Sequence, residues 1–304
     1  MILAVCPNPS VDTRLMFSHI TPGAVHRAIQ EEHFPGGKGV HVAMAVRELG
    51  CDVQLLGFWA GPTGEWVRRQ CDRLHIPCHG PHIQGWTRSC LTLQAPPPYN
   101  ETELLGVGPT LNQQDMAEFS RDFTRMLPSA QVVTLSGSWP GGAPDSSYAD
   151  LIALAAHHHK PVIVDCTGRL LNAALAHRPY AVHLNASEAK ALLGIDEPIQ
   201  SVKALSERCE LAVVTHGAQG AYFASNGQLL HAICHIESQH SAVGSGDCLV
   251  AGMAVAYLQK LPLDQTAALA CACGAANCLR SELGMLHQLD VQRLIPQVQI
   301  RRLS

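Results

Sequence analysis

Short apolar runs alternate with segments of helical spacing along most of the chain. The runs at 2–6, 53–57, 132–135, 162–165, 181–184 and 211–215 are almost continuously apolar, which predicts strands covered on both faces. Between them, Val42, Ala43, Val46 and Leu49 recur at helical spacing and stop at Gly50, a natural helix end. The alternation predicts an α/β fold: a mostly parallel sheet with helices on both sides, whose ligands lie at the carboxyl ends of the strands.

Two stretches break the pattern. Residues 9–34 and 87–107 read as extended and half-polar, with Pro96-Pro-Pro98 suited to an exposed edge or hairpin loop. They predict a small β lid beside the main body. A further hairpin is expected at Asn226-Gly227, between Ala221-Tyr-Phe223 and Leu229-Leu230. No repeat, low-complexity linker or charge block divides the chain, so residues 1–304 are expected to form one domain.

Composition narrows the function classes. Hydrophobic residues make up 47% of the 304 and charged residues 15%, the balance of a compact enzyme and not of a disordered chain. A net charge of -4 provides no basic stripe for nucleic acid. The start, Met1-Ile-Leu-Ala-Val-Cys-Pro7, has no basic leader and reads as a first strand, and no stretch is long and apolar enough to span a bilayer. The 12 cysteines are scattered, several within apolar runs (Cys166, Cys234, Cys271), as buried free thiols of a reducing compartment are. A cytoplasmic location is the expectation. Cys71, His75, Cys78, His79 and His82 mix soft ligands at short range but match no zinc spacing, and a helix end leading into a strand is the favoured reading over a metal site. His157-His-His159 reads as the polar end of a helix.

Three short patterns carry chemistry. In Val243-Gly-Ser-Gly-Asp247 small residues precede an acidic one at the start of a long apolar segment. The amides of Ser245, Gly246 and Asp247 can converge there on an anion, such as a phosphoryl group in transit, with Asp247 facing an acceptor hydroxyl as base. A helix N-terminus favours the carboxylate form and would make Asp247 a weak base at rest. A plain helix cap explains the same residues. Pro35-Gly-Gly-Lys-Gly-Val-His41 permits close backbone approach to a ligand and supplies a charge at Lys38; it lacks the P-loop spacing, and a tight turn explains it as well. Asn185-Ala-Ser-Glu188 could hold water around Mg2+, or form an N-terminal capping box.

The order of motifs resembles the ribokinase-like sugar kinases of the phosphofructokinase B type over nearly the whole chain. Asn8-Pro-Ser-Val-Asp12, Gly36-Gly-Lys-Gly39, Thr87-Arg-Ser89, Ser136-Gly-Ser-Trp-Pro140, Val164-Asp-Cys-Thr-Gly168, Asn185-Ala-Ser-Glu188, Thr215-His-Gly217 and Gly244-Ser-Gly-Asp247 follow in family order. The branch most resembled contains 1-phosphofructokinase, tagatose-6-phosphate kinase and 6-phosphofructokinase-2. The resemblance implies a ribokinase-like three-layer fold with a β-sheet lid that often forms a homodimer contact. It implies ATP and Mg2+ as cofactors and a sugar phosphate as substrate.

By the same resemblance Asp247 is the base and Gly244, Ser245 and Gly246 form the anion hole. Asp12 grips sugar hydroxyls beside Gly36 and Gly37, and Arg27, Lys38 and Arg88 help hold the substrate's phosphate. Ser138 adds a hydroxyl contact. Asn185 and Glu188 match the magnesium-water motif, Thr215, Gly217 and Gly220 a loop along the nucleotide, and Gly274 and Asn277 its adenosine end.

Three positions depart from the family pattern. His41 stands where relatives have an Asn that contacts the sugar or its phosphate, which would retune sugar choice or make binding pH-sensitive near neutrality. His183-Leu184 replace Lys-Pro, so His183 would be a weaker clamp on the ATP phosphates and lower turnover. Leu105 stands where the lid often has an Asn. These changes leave two alternatives to a sugar-phosphate kinase: a kinase for an unphosphorylated sugar or nucleoside, and a catalytically weakened regulatory protein that binds a sugar phosphate. Arg27, Lys38 and Arg88 speak for an anionic acceptor. An intact Asp247 speaks for an enzyme.

Overall fold

Residues 1–303 are described by a computed structural model. In chain order the first half holds β1 (Ile2–Cys6), β2 (Ser10–Met16), β3 (Gln30–Gly36), α1 (Lys38–Glu48), β4 (Val53–Gly57), β5 (Trp59–Ala60), α2 (Gly61–Arg73), β6 (Cys78–His79), β7 (His82–Ile83), β8 (Arg88–Gln94), β9 (Asn100–Leu105), α3 (Gln113–Met126) and β10 (Val132–Ser136). The second half holds α4 (Ser147–His157), β11 (Val162–Asp165), α5 (Gly168–Leu175), β12 (Ala181–Asn185), α6 (Ala186–Leu193), α7 (Pro198–Ser206), β13 (Leu211–Thr215), β14 (Ala221–Ser225), β15 (Gln228–Ile233), α8 (Ser245–Leu258), α9 (Leu263–Cys278), α10 (Gln288–Leu294) and β16 (Gln299–Leu303).

The main sheet has ten strands in the order β16-β15-β14-β13-β12-β11-β10-β1-β4-β6. It is parallel from β13 to β6, and β14, β15 and β16 add antiparallel at the other edge. The reason for the continuous apolar runs is visible in β1, where Ile2, Ala4 and Cys6 enter one core and Leu3 and Val5 the other. Side chains alternate across a strand, so a strand with helices on both faces has no polar side. Helices α1, α2, α8, α9 and α10 cover the first face; α3, α4, α5, α6 and α7 cover the second. The result is the expected three-layer α/β arrangement.

The lid is a four-stranded sheet, β3-β2-β8-β9. Strands β2, β8 and β9 fall within the two half-polar stretches and β3 runs past the first to Gly36; residues 17–29 form no strand, and the three prolines lie in the β8–β9 connection. The inner face carries Asp12, Arg14, Cys90 and Thr92, all buried. Arg14 donates to the Glu32 carboxylate and to the Ser281 carbonyl, with its guanidinium 5.4 Å from the Phe34 ring centre. One buried cation thereby ties β2 to the segment between α9 and α10.

Helices α8 and α9 are buried on nearly all sides and cross closely. A Cβ added at Gly252 would meet Ala270 Cα at 2.8 Å and Cys273 Sγ at 3.1 Å, so this seam admits only small residues. All 12 cysteines are free. The Cys71–His82 cluster is the end of α2 leading into β6 and β7, and His157 ends α4. Among the described residues no three His, Cys, Asp or Glu side chains form a metal cage, and no helix is long and apolar enough to cross a membrane.

Candidate active site

A cleft of about 1070 Å³ lies between the carboxyl ends of the parallel strands and the lid. Two glycine turns build its floor. In the first, Gly37 (φ 99) precedes α1, and Gly36 packs so closely on the Asp12 carboxyl that a side chain there would overlap it. In the second, Gly244 (φ 85) precedes α8. Both turns use a left-handed conformation that side chains other than glycine's disfavour.

The second turn departs from expectation in one respect. The Ser245 amide donates to the Ala242 carbonyl at 3.0 Å, closing a turn. The amides of Gly246 and Asp247 have no acceptor, as the first turn of a helix requires. Two donors, not three, therefore open toward an anion.

Asp247 is buried, and its Oδ2 accepts from His41 Nδ1 at 2.8 Å. Burial raises its pKa above the ordinary carboxylate value, and the neighbouring His41 and Lys38 only partly offset this. Burial opposes the effect of the helix terminus, so Asp247 is a stronger base at rest than the dipole alone predicts. His41 itself is buried against two carboxylates, Asp247 and Asp12, the latter 3.3 Å from Nε2. Burial disfavours its charged form, yet the close contact with Asp12, the hydrogen bond to Asp247 and the charge of both carboxylates overcome it and push the ring up to about 10. The two carboxylates favour the charged ring past neutrality, which runs against the sensitivity expected there. For Asp12 burial is outweighed by His41, Ser10 and Arg88, which hold its carboxyl below the usual value.

Lys38 points along the floor. Its Nζ is 3.1 Å from Asp165 Oδ1 and 3.7 Å from Glu188 Oε1. Burial works against the ammonium, but Asp165, Asp247 and Glu188 hold its pKa well above the ordinary lysine value. Asp165, at the end of β11, is fully buried; Lys38 and His183 overcome that burial and hold it well below the usual carboxylate range. His183 Nδ1 lies 3.3 Å from Asp165 and Nε2 3.2 Å from Thr215 Oγ1. Both nitrogens are engaged with side chains of the floor, and the ring lies beside the α8 turn, where a Cβ at Gly246 would come 3.1 Å from its Cε1.

Asn185 and Glu188 form the capping box of α6. The Glu188 amide donates to Asn185 Oδ1 and the Asn185 amide to Glu188 Oε2, each at 2.9 Å. Glu188 Oε1 stays free of the cap and faces Lys38, while Asp165 Oδ2 is buried with no partner. A magnesium ion keeps most of its water and needs one or two carboxylates beside substrate phosphates; Glu188, with Asn185 next to it, fits that demand.

The cleft brings together Asp12, Gly37, Lys38, His41, Arg88, Ser138, His183, Asn185, Glu188, Thr215, Gly217, Gly220, Gly274 and the whole of 244–247. Gly36 backs Asp12 from behind. Two expected residues lie apart: Arg27 is exposed in the loop between β2 and β3, and Asn277 is buried and donates to the Met285 carbonyl at 2.9 Å. Arg88 lines the cleft, but its guanidinium donates to the carbonyls of Asn8 at 3.2 Å and Gly106 at 3.4 Å. Asn8 in turn donates to Ser138 Oγ at 3.3 Å.

Sequence reading missed Asp165, Glu103 and the segment 235–239, all of which line the cleft or its floor. Asp165 was legible as the lone acidic residue ending an apolar run at a carboxyl strand end. Glu103 sits opposite Thr92 on the lid and is exposed; partial desolvation and the nearby Asp12 raise its pKa.

Residues 8–287 match the family described as pfkB family carbohydrate kinase. The 1-phosphofructokinase of Bacillus subtilis (strain 168) is 28% identical over 309 residues, covering 100% of both chains. The fold is shared with phosphofructokinase-2 from Escherichia coli (TM-score 0.89, 23% identity, 97% of this chain and 98% of that one). It is shared also with a possible 1-phosphofructokinase from Thermotoga maritima (TM-score 0.87, 23% identity, 100% of each).

Proposed function

Because the chain belongs to the pfkB family of carbohydrate kinases, phosphotransferases that act on a hydroxyl, we propose that it transfers the terminal phosphoryl group of ATP to a ketohexose phosphate. The observation that carries this reading is the buried Asp247 beside the two free amides of α8, on the floor of a cleft that also presents Asp12 and Arg88. The amides are fixed before reaction and stabilise charge on the migrating group. Asp247 takes the acceptor hydroxyl's proton, and Asp12 and Ser138 orient the sugar.

Thr215, Gly217, Gly220 and Gly274 line the end of the cleft remote from the lid, suited to a nucleotide. Mg2+, held through Glu188 and Asn185, would neutralise phosphate charge. Lys38 supplies a fixed positive charge between Asp165 and Glu188. Residues 1–304 act as one domain in this reading, and pairing through the lid would make a homodimer. The relative from Bacillus subtilis, named a 1-phosphofructokinase, supports the choice of a sugar phosphate.

One observation favours a second reading, an unphosphorylated acceptor. Lys38 and Arg88 are committed to protein partners, Arg27 stands outside the cleft, and the sugar end holds Asp12 and Glu103. An ADP-release assay across ketohexose phosphates and the matching free sugars separates the two. Turnover of a phosphorylated ketohexose, abolished by Asp247→Asn, is the expected result. Preference for free sugars would replace the substrate assignment, and nucleotide binding without turnover of any acceptor would overturn the proposal.

A further inference from the structure

His41 occupies a slot built around its ring. The Gly284 backbone (φ 63) lies against one face, and a side chain there would overlap the imidazole. A Cβ at Gly244 would in turn lie 3.4 Å from Nδ1. The two ring nitrogens look in opposite directions at Asp247 Oδ2, 2.8 Å away in a hydrogen bond, and Asp12 Oδ2, 3.3 Å away in an ion-pair contact that is not aligned as a hydrogen bond.

A neutral imidazole has one N–H, so one nitrogen would turn a lone pair on a carboxylate. Two flanking carboxylates favour hydrogen on both nitrogens. Nδ1 is taken by Asp247, and Nε2, which has no aligned hydrogen-bond partner among the described residues, lies against Asp12. Resting on the phosphoryl-transfer reading above, we propose that His41 is a positioning residue: a doubly protonated bridge that locks the base Asp247 and the sugar-facing Asp12 into one unit.

The bridge sits among opposing charges. Asp12 faces it from β2, Asp247 from α8 and Glu103 from β9, while Arg88 on β8 and Lys38 on its own helix act on those carboxylates. Cys6 of β1 packs under the same turn as a neutral thiol, pushed up to about 11 by burial. Gly284 brings no charge. Removing the imidazolium leaves two buried carboxylates without the cation between them, and the base then needs a higher pH to lose its proton.

The test begins on the full-length free enzyme labelled with 15N-histidine, with the His41 signals assigned by their loss in His41→Asn or His41→Gln, whichever folds. At pH 8, where an ordinary histidine is neutral, two protonated ring nitrogens are expected; a single N–H overturns the bridge whatever the enzyme phosphorylates. In Asp12→Asn the ring's midpoint should fall by about one unit or more, and an unchanged midpoint overturns it equally, which covers the case in which His41→Asn does not fold. The second arm is the pH profile of kcat/KM on whichever acceptor the ADP-release assay finds. His41→Asn should lower kcat by about tenfold, leave the nucleotide KM unchanged and move the acid limb upward by about one unit. A uniform loss with the limb unmoved is what a merely structural ring would give, and it overturns the proposal. Absence of any acceptor sinks the function reading alone, because the nitrogen signals still decide the bridge.

Discussion

The glycine turns that open α1 and α8 share one backbone device and carry opposite charges. Each has a left-handed glycine before its helix, no side-chain cap, and an ionisable residue in the first turn. The helix terminus favours an anion, so Asp247 agrees with its backbone and Lys38 opposes it. Each site nevertheless ends with the reverse tendency: burial makes Asp247 easier to protonate, while Asp165 and Glu188 make Lys38 harder to deprotonate. At these two termini, burial and neighbouring side chains oppose the dipole. One turn is left with a base and the other with a permanent cation.

The comparison breaks most sharply at Asp247. Asp247→Asn keeps the shape and the two free amides and removes only the proton acceptor; kcat should fall about 10³-fold, with nucleotide binding by calorimetry unchanged. Retained turnover would mean that the α8 turn serves by its amides alone.

Lys38→Met tests the other turn. Turnover should fall about 10²-fold as the fixed charge is lost. Stability should fall by about 1–3 kcal/mol in urea titrations, less than for a fully buried pair because Lys38 is 36% exposed. Asp165 has a depressed pKa, so its pairing stabilises above the unfolded carboxylate value of about 3.9 and is lost as pH falls through the folded value. The deficit of Lys38→Met should therefore narrow toward acid pH. A deficit constant with pH would detach Lys38 from Asp165.

Gly244→Ala and Gly37→Ala should each cost at least about 1–2 kcal/mol for the positive φ, and more because one methyl overlaps the Gly284 backbone and the other meets Cys6 Sγ at 2.9 Å. Only the former should also depress kcat, because its methyl would press on Gly284 and crowd His41. Equal kinetic losses would erase the distinction between the turns. The smallest effect is expected for Arg14→Met, which unties β2 from Ser281. The acceptor's KM should rise a few-fold, about 1 kcal/mol in binding, while the nucleotide KM stays in place.

The sheet was legible because parallel strands covered twice leave few polar residues to confuse the pattern, and the six runs all became strands. Edge β16 was not, since Gln299–Leu303 is half-polar and pairs only with β15. The site's chemistry was legible where it is local: Asn185 and Glu188 are three apart and formed the capping box that their spacing allowed. It was illegible where partners are distant. Nothing near His41 in the chain announces Asp12 and Asp247 as its neighbours, and nothing near Lys38 announces Asp165. A lone lysine in a glycine turn reads as a ligand for substrate until the buried carboxylate is seen.

The close crossing of α8 and α9 at Gly252 has a bearing on how such a protein tolerates mutation. From Ser245 to Gly252 the helix rises about 10 Å, so the seam lies well away from the reacting groups. Yet α8 is a rigid rod, and a valine at Gly252 would lever its first turn out of register with the acceptor. Random mutagenesis screened for activity should consequently find an intolerant stripe at Gly252, Ala270 and Cys273, where selection guards the aim of two amides it never touches.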